Sequence, residues 1–126
     1  MRNAFGDDIK ILCGVDTLAL EELALGADGW VAGLVDAFPR ETVVIYELVK
    51  QNRISEATEI YRWFMPLLEL DIHPKLVQNI KLAEVATGIG TEYVRPPRLP
   101  LIGEERAYVQ GIIDKALSNR PEMPNI

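Results

Sequence analysis

Two short apolar runs with a helical segment between them constrain this chain more than any other feature. Ile9-Lys10-Ile11-Leu12-Cys13 ends at Gly14-Val15-Asp16-Thr17, and Gly26-Ala27-Asp28-Gly29 leads into Trp30-Val31-Ala32-Gly33. Between them Leu18, Leu20, Leu23, Ala24 and Leu25 recur at roughly helical spacing, while Glu21 and Glu22 stay together on one side. The pattern reads as strand, tight turn, amphipathic helix, strand. So long a connection excludes a hairpin and suits parallel neighbours, which need a crossover of about a dozen residues or more. Parallel strands are normally covered on both faces and read as near-continuous apolar runs, as Ile11-Leu12-Cys13 and Trp30-Val31-Ala32 do. Lys10 interrupts the first run, so that end is expected to reach solvent.

After this unit the chain turns helical. Phe38-Pro39-Arg40-Glu41 opens a helix, because proline is tolerated at the first helical position where its N–H is not needed; Val43, Val44, Tyr46, Leu48 and Val49 give it an apolar face up to about Gln51. Ser55 is the expected N-cap of the next helix. Ala57, Ile60, Tyr61, Phe64, Leu67 and Leu68 continue that helix to about Leu70, with a kink expected at Pro66. The aromatics Tyr61, Trp63 and Phe64 lie at helical spacing and read as core or subunit interface rather than a ligand cage. Pro74 should open a helix through Leu76, Val77, Ile80, Leu82, Ala83 and Val85, ended by Gly88-Ile89-Gly90. Arg95-Pro96-Pro97-Arg98-Leu99-Pro100 should be extended. A last helix from about Gly103 is expected to bury Tyr108, Val109, Ile112, Ile113, Ala116 and Leu117, before a loose tail from Asn119.

Composition excludes several classes of function. With 126 residues, 48% of them hydrophobic, the chain is one domain's worth and can bury a core. A net charge of −6 without a Lys/Arg stripe disfavours nucleic acid, because phosphate neutralisation supplies most non-specific affinity. No apolar run approaches the ~20 residues of a membrane span and no signal-peptide pattern is present, so no membrane association and a soluble cytoplasmic protein are expected. The single Cys13 cannot close a disulfide within the chain and reads as a small core residue. One His and one Cys do not make a structural zinc set. Asp7, Asp8, Asp16 and Asp36 match no cation loop of defined spacing, so they read as solvated loop carboxylates and neither a metal nor a cofactor is expected.

Gly14-Val15-Asp16, Leu25-Gly26-Ala27-Asp28-Gly29-Trp30-Val31, Met65-Pro66-Leu67 and Arg95-Pro96-Pro97-Arg98-Leu99-Pro100-Leu101 occur in an order that resembles the C-terminal half of the dihydrodipicolinate synthase and N-acetylneuraminate lyase family. The match runs from about Gly6 to about Leu117. The resemblance implies an α/β fold: a partial (β/α)8 TIM barrel carrying the last two βα units, plus a C-terminal helical region, predominantly helical overall. Residues 1–37 would hold the terminal strands and crossover helix, and residues 38–126 the last barrel helix and the helical region. A complete barrel of this kind takes about 250 residues, so one copy of this chain is too short to close one. The resemblance also implies that the segment around Phe5 ends a helix rather than starting a protein, and that residues upstream of the matched region supply the catalytic tyrosine and lysine.

In a barrel the loops after the strands form the active site, and the resemblance places Gly14, Asp16, Val31 and Gly33 there as substrate-binding positions. Asp16 has an ordinary alternative, capping the free N–H groups of the helix that follows it, worth about 1 kcal/mol; for this chain on its own, capping is preferred. Asp36 stands where the family usually has Asn, and His73-Pro74-Lys75-Leu76-Val77-Gln78 departs from the family pattern, so functions attached to those positions are not carried over. The expected function is the C-terminal part of a class I aldolase-type lyase that forms a Schiff base with a 2-oxo acid such as pyruvate. No catalytic residue is expected in this chain, and Lys10 should point away from the cleft or lie at its wrong end. The alternative is a non-catalytic helical oligomerisation module. Two strands leave unpaired edges, which predicts a homo-oligomer that covers them.

Overall fold

The computed structural model describes residues 1–126. Arg2–Phe5 forms one helical turn, α1, followed by strand β1 (Leu12–Cys13), a 3-10 turn (Asp16–Leu18), α2 (Ala19–Ala24), strand β2 (Gly29–Trp30) and a second 3-10 turn (Leu34–Asp36). Four longer helices complete the chain: α3 (Pro39–Lys50), α4 (Ile54–Leu68), α5 (Leu76–Thr87) and α6 (Gly103–Ser118). No helix is long and apolar enough to cross a membrane.

The expected βαβ unit forms. The strands pair in parallel, Leu12 opposite Gly29 and Cys13 opposite Trp30, and α2 packs against both. Coverage on both strand faces, expected from the apolar runs, does not occur: Cys13 is 5% exposed but Leu12 is 61% exposed. Alternate residues of a strand point to opposite faces, and the helices of this chain cover only one of them. The crossover helix is also shorter than the leucine spacing predicts. Ala19 and Leu23 face the core, whereas Leu18 and Leu25 face outward.

α3 starts at Pro39 as expected, with proline in its first turn. α4 begins at Ile54, so Ser55 lies inside the helix and is not its cap; the Arg53 guanidinium instead closes the first turn on the Glu56 carboxylate at 2.7 and 2.8 Å. The helix runs through Pro66. α5 begins at Leu76 rather than Pro74, because His73 Nδ1 accepts the Lys75 N–H at 3.1 Å and holds residues 73–75 in a turn. It ends at Gly88 in the left-handed conformation (φ 76°), with the Ile89 N–H returning to the Glu84 carbonyl. The proline strap is broken by a turn at Pro96-Pro97, where the Arg98 N–H reaches the Arg95 carbonyl at 3.2 Å.

One cluster of 25 buried residues runs from Cys13 to Ala116 and draws on β1, α2 and all four long helices. At its centre Phe38 meets Phe64 edge-on at 5.5 Å, and Trp63 stacks on Phe64 at 5.5 Å. The expected burial of α6 holds for Val109, Ile113 and Ala116, but Tyr108 is 72% exposed. The tail is fastened rather than loose. Arg120 pairs with the buried Glu41 of α3, Arg53 donates to the Asn125 carbonyl at 3.2 Å, and Met123 packs against the core.

Candidate functional site

The loops that leave the two strands, residues 14–18 and 31–36, lie side by side because the strands are parallel and adjacent. Asp16 joins them. Its carboxylate is fully buried and accepts from the Trp30 indole Nε1 at 2.9 Å, the Gly33 N–H at 3.3 Å and the Leu34 N–H at 3.0 Å. It makes no capping bond to its own helix. The capping expectation is therefore corrected: Asp16 caps a 3-10 turn 17 and 18 residues further on, because the parallel pairing puts that turn's free N–H groups next to it. From the other side the Tyr61 hydroxyl of α4 donates to the Asp16 carbonyl at 2.6 Å. Burial, with Glu21 and Asp16 adding, pushes the Tyr61 phenol up to about 12, so it stays a donor.

The other expected substrate positions take different places. Gly14 is exposed with open space over its Cα. Val31 is 64% exposed, and its N–H is held by the Cys13 carbonyl at 2.9 Å. Gly33 faces the end of α4 instead: a Cβ there would overlap the Asp71 carboxylate, so the glycine makes room for Asp71. Burial raises the Asp71 pKa above its ordinary value, and the charges of Asp16 and Asp36 add to this. Asp36 is exposed, as the loop-carboxylate reading expects. No group of His, Cys, Asp and Glu side chains could hold a metal ion.

Lys10 lies just before β1, not within it, at the opposite end of the strands from these loops. It is 73% exposed and reaches Asp28 at 3.5 Å. Asp28 organises that end: it accepts the Ile11 N–H at 2.8 Å and the Arg2 guanidinium at 2.6 Å, and these bonds hold its pKa at about 2. Cys13 is inert in this setting. Burial and the nearby Glu22 carboxylate raise its thiol to about 11, and Sγ donates to the Gly29 carbonyl at 3.3 Å. The apolar runs marked the strand ends, and the family resemblance marked Asp16. The sequence showed no sign of Trp30 and Tyr61 as supports or of Asp71 as a neighbour, because Tyr61 lies on α4, Asp71 follows it, and Trp30 sits on a strand where an aromatic reads only as apolar.

The arrangement is a stiffened rim at the carboxyl ends of two parallel strands, the position at which α/β barrels place their chemistry. A 4-hydroxy-tetrahydrodipicolinate synthase from Exiguobacterium sibiricum is 29% identical over 110 residues, covering 85% of this chain and 36% of the relative. An N-acetylneuraminate lyase from Fusobacterium nucleatum is 28% identical over 119 residues, covering 94% of this chain and 41% of the relative. The crystal structure of dihydrodipicolinate synthase from Aquifex aeolicus superimposes with a TM-score of 0.81 at 22% identity, over 98% of this chain and 41% of that one. The chain thus spans well under half the length of these relatives. The profile of the Dihydrodipicolinate synthetase family matches residues 1–116, and the chain belongs to that family.

Proposed function

We propose that this chain is the C-terminal part of a class I aldolase-type lyase acting on a 2-oxo acid such as pyruvate. It supplies the last two βα units of a barrel and the helices that follow them. In such an enzyme a desolvated lysine attacks the 2-oxo carbonyl, water leaves, and the resulting Schiff base draws electrons during C–C bond formation or cleavage. The part played here is the wall of the cleft. Gly14 presents open backbone and Val31 an exposed apolar side chain toward the substrate, and Asp16 and Gly33 shape the rim from beneath.

The observation that carries this reading is the Asp16 knot, which ties the two loops together at the carboxyl ends of the strands, while Lys10, just before β1, sits at the other end. On this reading the polypeptide alone forms no Schiff base. Borohydride reduction in the presence of pyruvate, read by intact mass, is expected to leave the 14.1 kDa chain unmodified; a pyruvyl adduct on Lys10 would overturn the assignment. A second reading, a helical association module without chemistry, draws on the exposed Leu99, Ile102 and Tyr108, each more than 70% exposed. It predicts a homo-oligomer through that surface.

A further inference from the structure

α4 and α6 pack against each other at Trp63 and Ala116, where the indole Nε1–H donates to the Ala116 carbonyl at 3.0 Å. Ala116 is too small to fill the space beside the indole. A crevice of about 220 Å³ is left between the two helices, lined by Trp63, Pro66, Ile112, Lys115, Ala116 and Asn119. No residue of the loops that follow the strands contributes to it. Its walls are apolar: the indole N–H is engaged by Ala116, Pro66 has no N–H to offer, and Ile112 lies partly buried against the core. Two polar residues one helical turn apart, Lys115 and Asn119, complete the lining. The Lys115 side chain is exposed in the last turn of α6 and has no counter-charge; the adjacent Asp114 carboxylate is engaged by Gln110 at 2.8 Å. Asn119 gives its Nδ2 to the Lys115 carbonyl at 2.9 Å and to Ser118 Oγ at 3.2 Å, which leaves Oδ1 free.

We infer that this crevice is a binding site for a small aromatic acid, a single ring bearing a carboxylate and a hydroxyl. Its occupancy does not depend on the 2-oxo acid chemistry proposed above. Size sets the ring: a cavity of roughly 150 Å³ walled by Leu, Ile and Phe takes up benzene, so about 220 Å³ holds a ring of that size with a carboxylate attached. The indole selects an aromatic body, since ring pairs attract each other beyond the area they bury. Charge sets the acid. Lys115 is an ammonium without a partner in a chain of net charge −6, and a charged donor beside an apolar wall fixes one end of a ligand. The carboxyl end of a helix ordinarily repels an anion, but the carbonyls beside this crevice are already bonded: that of Lys115 by Ser118 Oγ and Asn119 Nδ2, each at 2.9 Å, and that of Ala116 by the indole. Asn119 Oδ1 accepts the hydroxyl.

The test titrates the isotope-labelled chain with 4-hydroxybenzoate and follows its amide and indole N–H resonances. Saturable shifts are expected at the Trp63 Nε1–H and along residues 112–119, with half-saturation near ~1 mM for so small a ligand. Lys115→Met keeps the apolar stem, removes the charge and, on an exposed side chain, leaves the circular dichroism unchanged; it should weaken binding about tenfold. Lys115→Arg should stay within about threefold of the parent, because the charge is retained. 4-Hydroxybenzamide, the same shape without the charge, should bind the parent as weakly as 4-hydroxybenzoate binds Lys115→Met, and acetate, the charge without the ring, should leave Trp63 unmoved. No saturation by about 20 mM overturns the site. Equal binding of the amide, or undiminished binding by Lys115→Met, overturns the choice of an acid; shifts of Trp63 with acetate overturn the choice of a ring. The same resonances moving with protein concentration alone would give the crevice to a contact between copies of this chain and overturn the ligand.

Discussion

The indole of Trp30 donates to the carboxylate of Asp16 at 2.9 Å. A side chain of β2 thereby holds the loop that follows β1, and the backbone N–H groups of Gly33 and Leu34 close the same knot. The carboxylate is wholly buried, and three N–H donors offset its desolvation. Its rigidity is what gives the strand ends a defined rim.

Replacing that charge is expected to be costly. Asp16→Asn keeps the shape, but its amide nitrogen would face N–H donors, and bonds to a charged acceptor contribute about 1.5–3 kcal/mol each. A loss of at least about 2 kcal/mol in urea denaturation is expected, with a changed Trp30 emission in the folded protein. A variant as stable as the parent would show that the knot does not hold the loops.

Arg120 should stabilise far more than its place in the tail suggests. Glu41 is fully buried in the first turn of α3, and one of its carboxylate oxygens has no hydrogen-bond partner. Arg120, 42% exposed, is its counter-charge, and the helix N-terminus helps. Arg120→Ala would leave a buried unpaired charge; with allowance for the half-exposed arginine, a loss of about 2 kcal/mol is expected. Glu41→Gln in the Arg120→Ala background should recover part of it, since the two residues are coupled. Additive losses in thermal denaturation would contradict the pairing.

Alkaline pH should unfold the protein from the strand side. Cys13 has its folded pKa raised from 9.0 to about 11 and Tyr61 from 10.0 to about 12, both first by burial. A raised folded pKa means stability that is complete below the unfolded value and lost as pH rises through the folded one. Stability is thus expected to be flat up to about pH 9 and to fall between about 9 and 12. Cys13→Ala should delay the onset toward the tyrosine range. An onset unmoved by that substitution, followed by circular dichroism, would remove Cys13 from the account.

Much of this molecule was legible before folding was considered. The parallel βαβ unit followed from two apolar runs separated by a crossover too long for a hairpin, α3 from Pro39, and the end of α5 from Gly88; the ordered motifs from Gly14 to Leu101 pointed to the family. These are local signals: the spacing of a few residues fixes which face is apolar, and a proline or glycine fixes where an element starts or stops. Where the local signal was incomplete, the expectations failed. Ser55 has capping chemistry, but Arg53 and Glu56 close the turn first; Tyr108 lies close to the apolar stripe of α6 yet faces solvent.

The sequence by itself determined the element types, their order and the unpaired character of a two-strand ribbon. Only the tertiary structure decided what the polar side chains do. Asp16 reaches Leu34 across 18 residues, Tyr61 reaches Asp16 across 45, and Arg120 reaches Glu41 across 79. No periodicity encodes such separations. Each is set when the strands pair and the helices close on one core, and a buried carboxylate must then take whatever donor the packing brings to it.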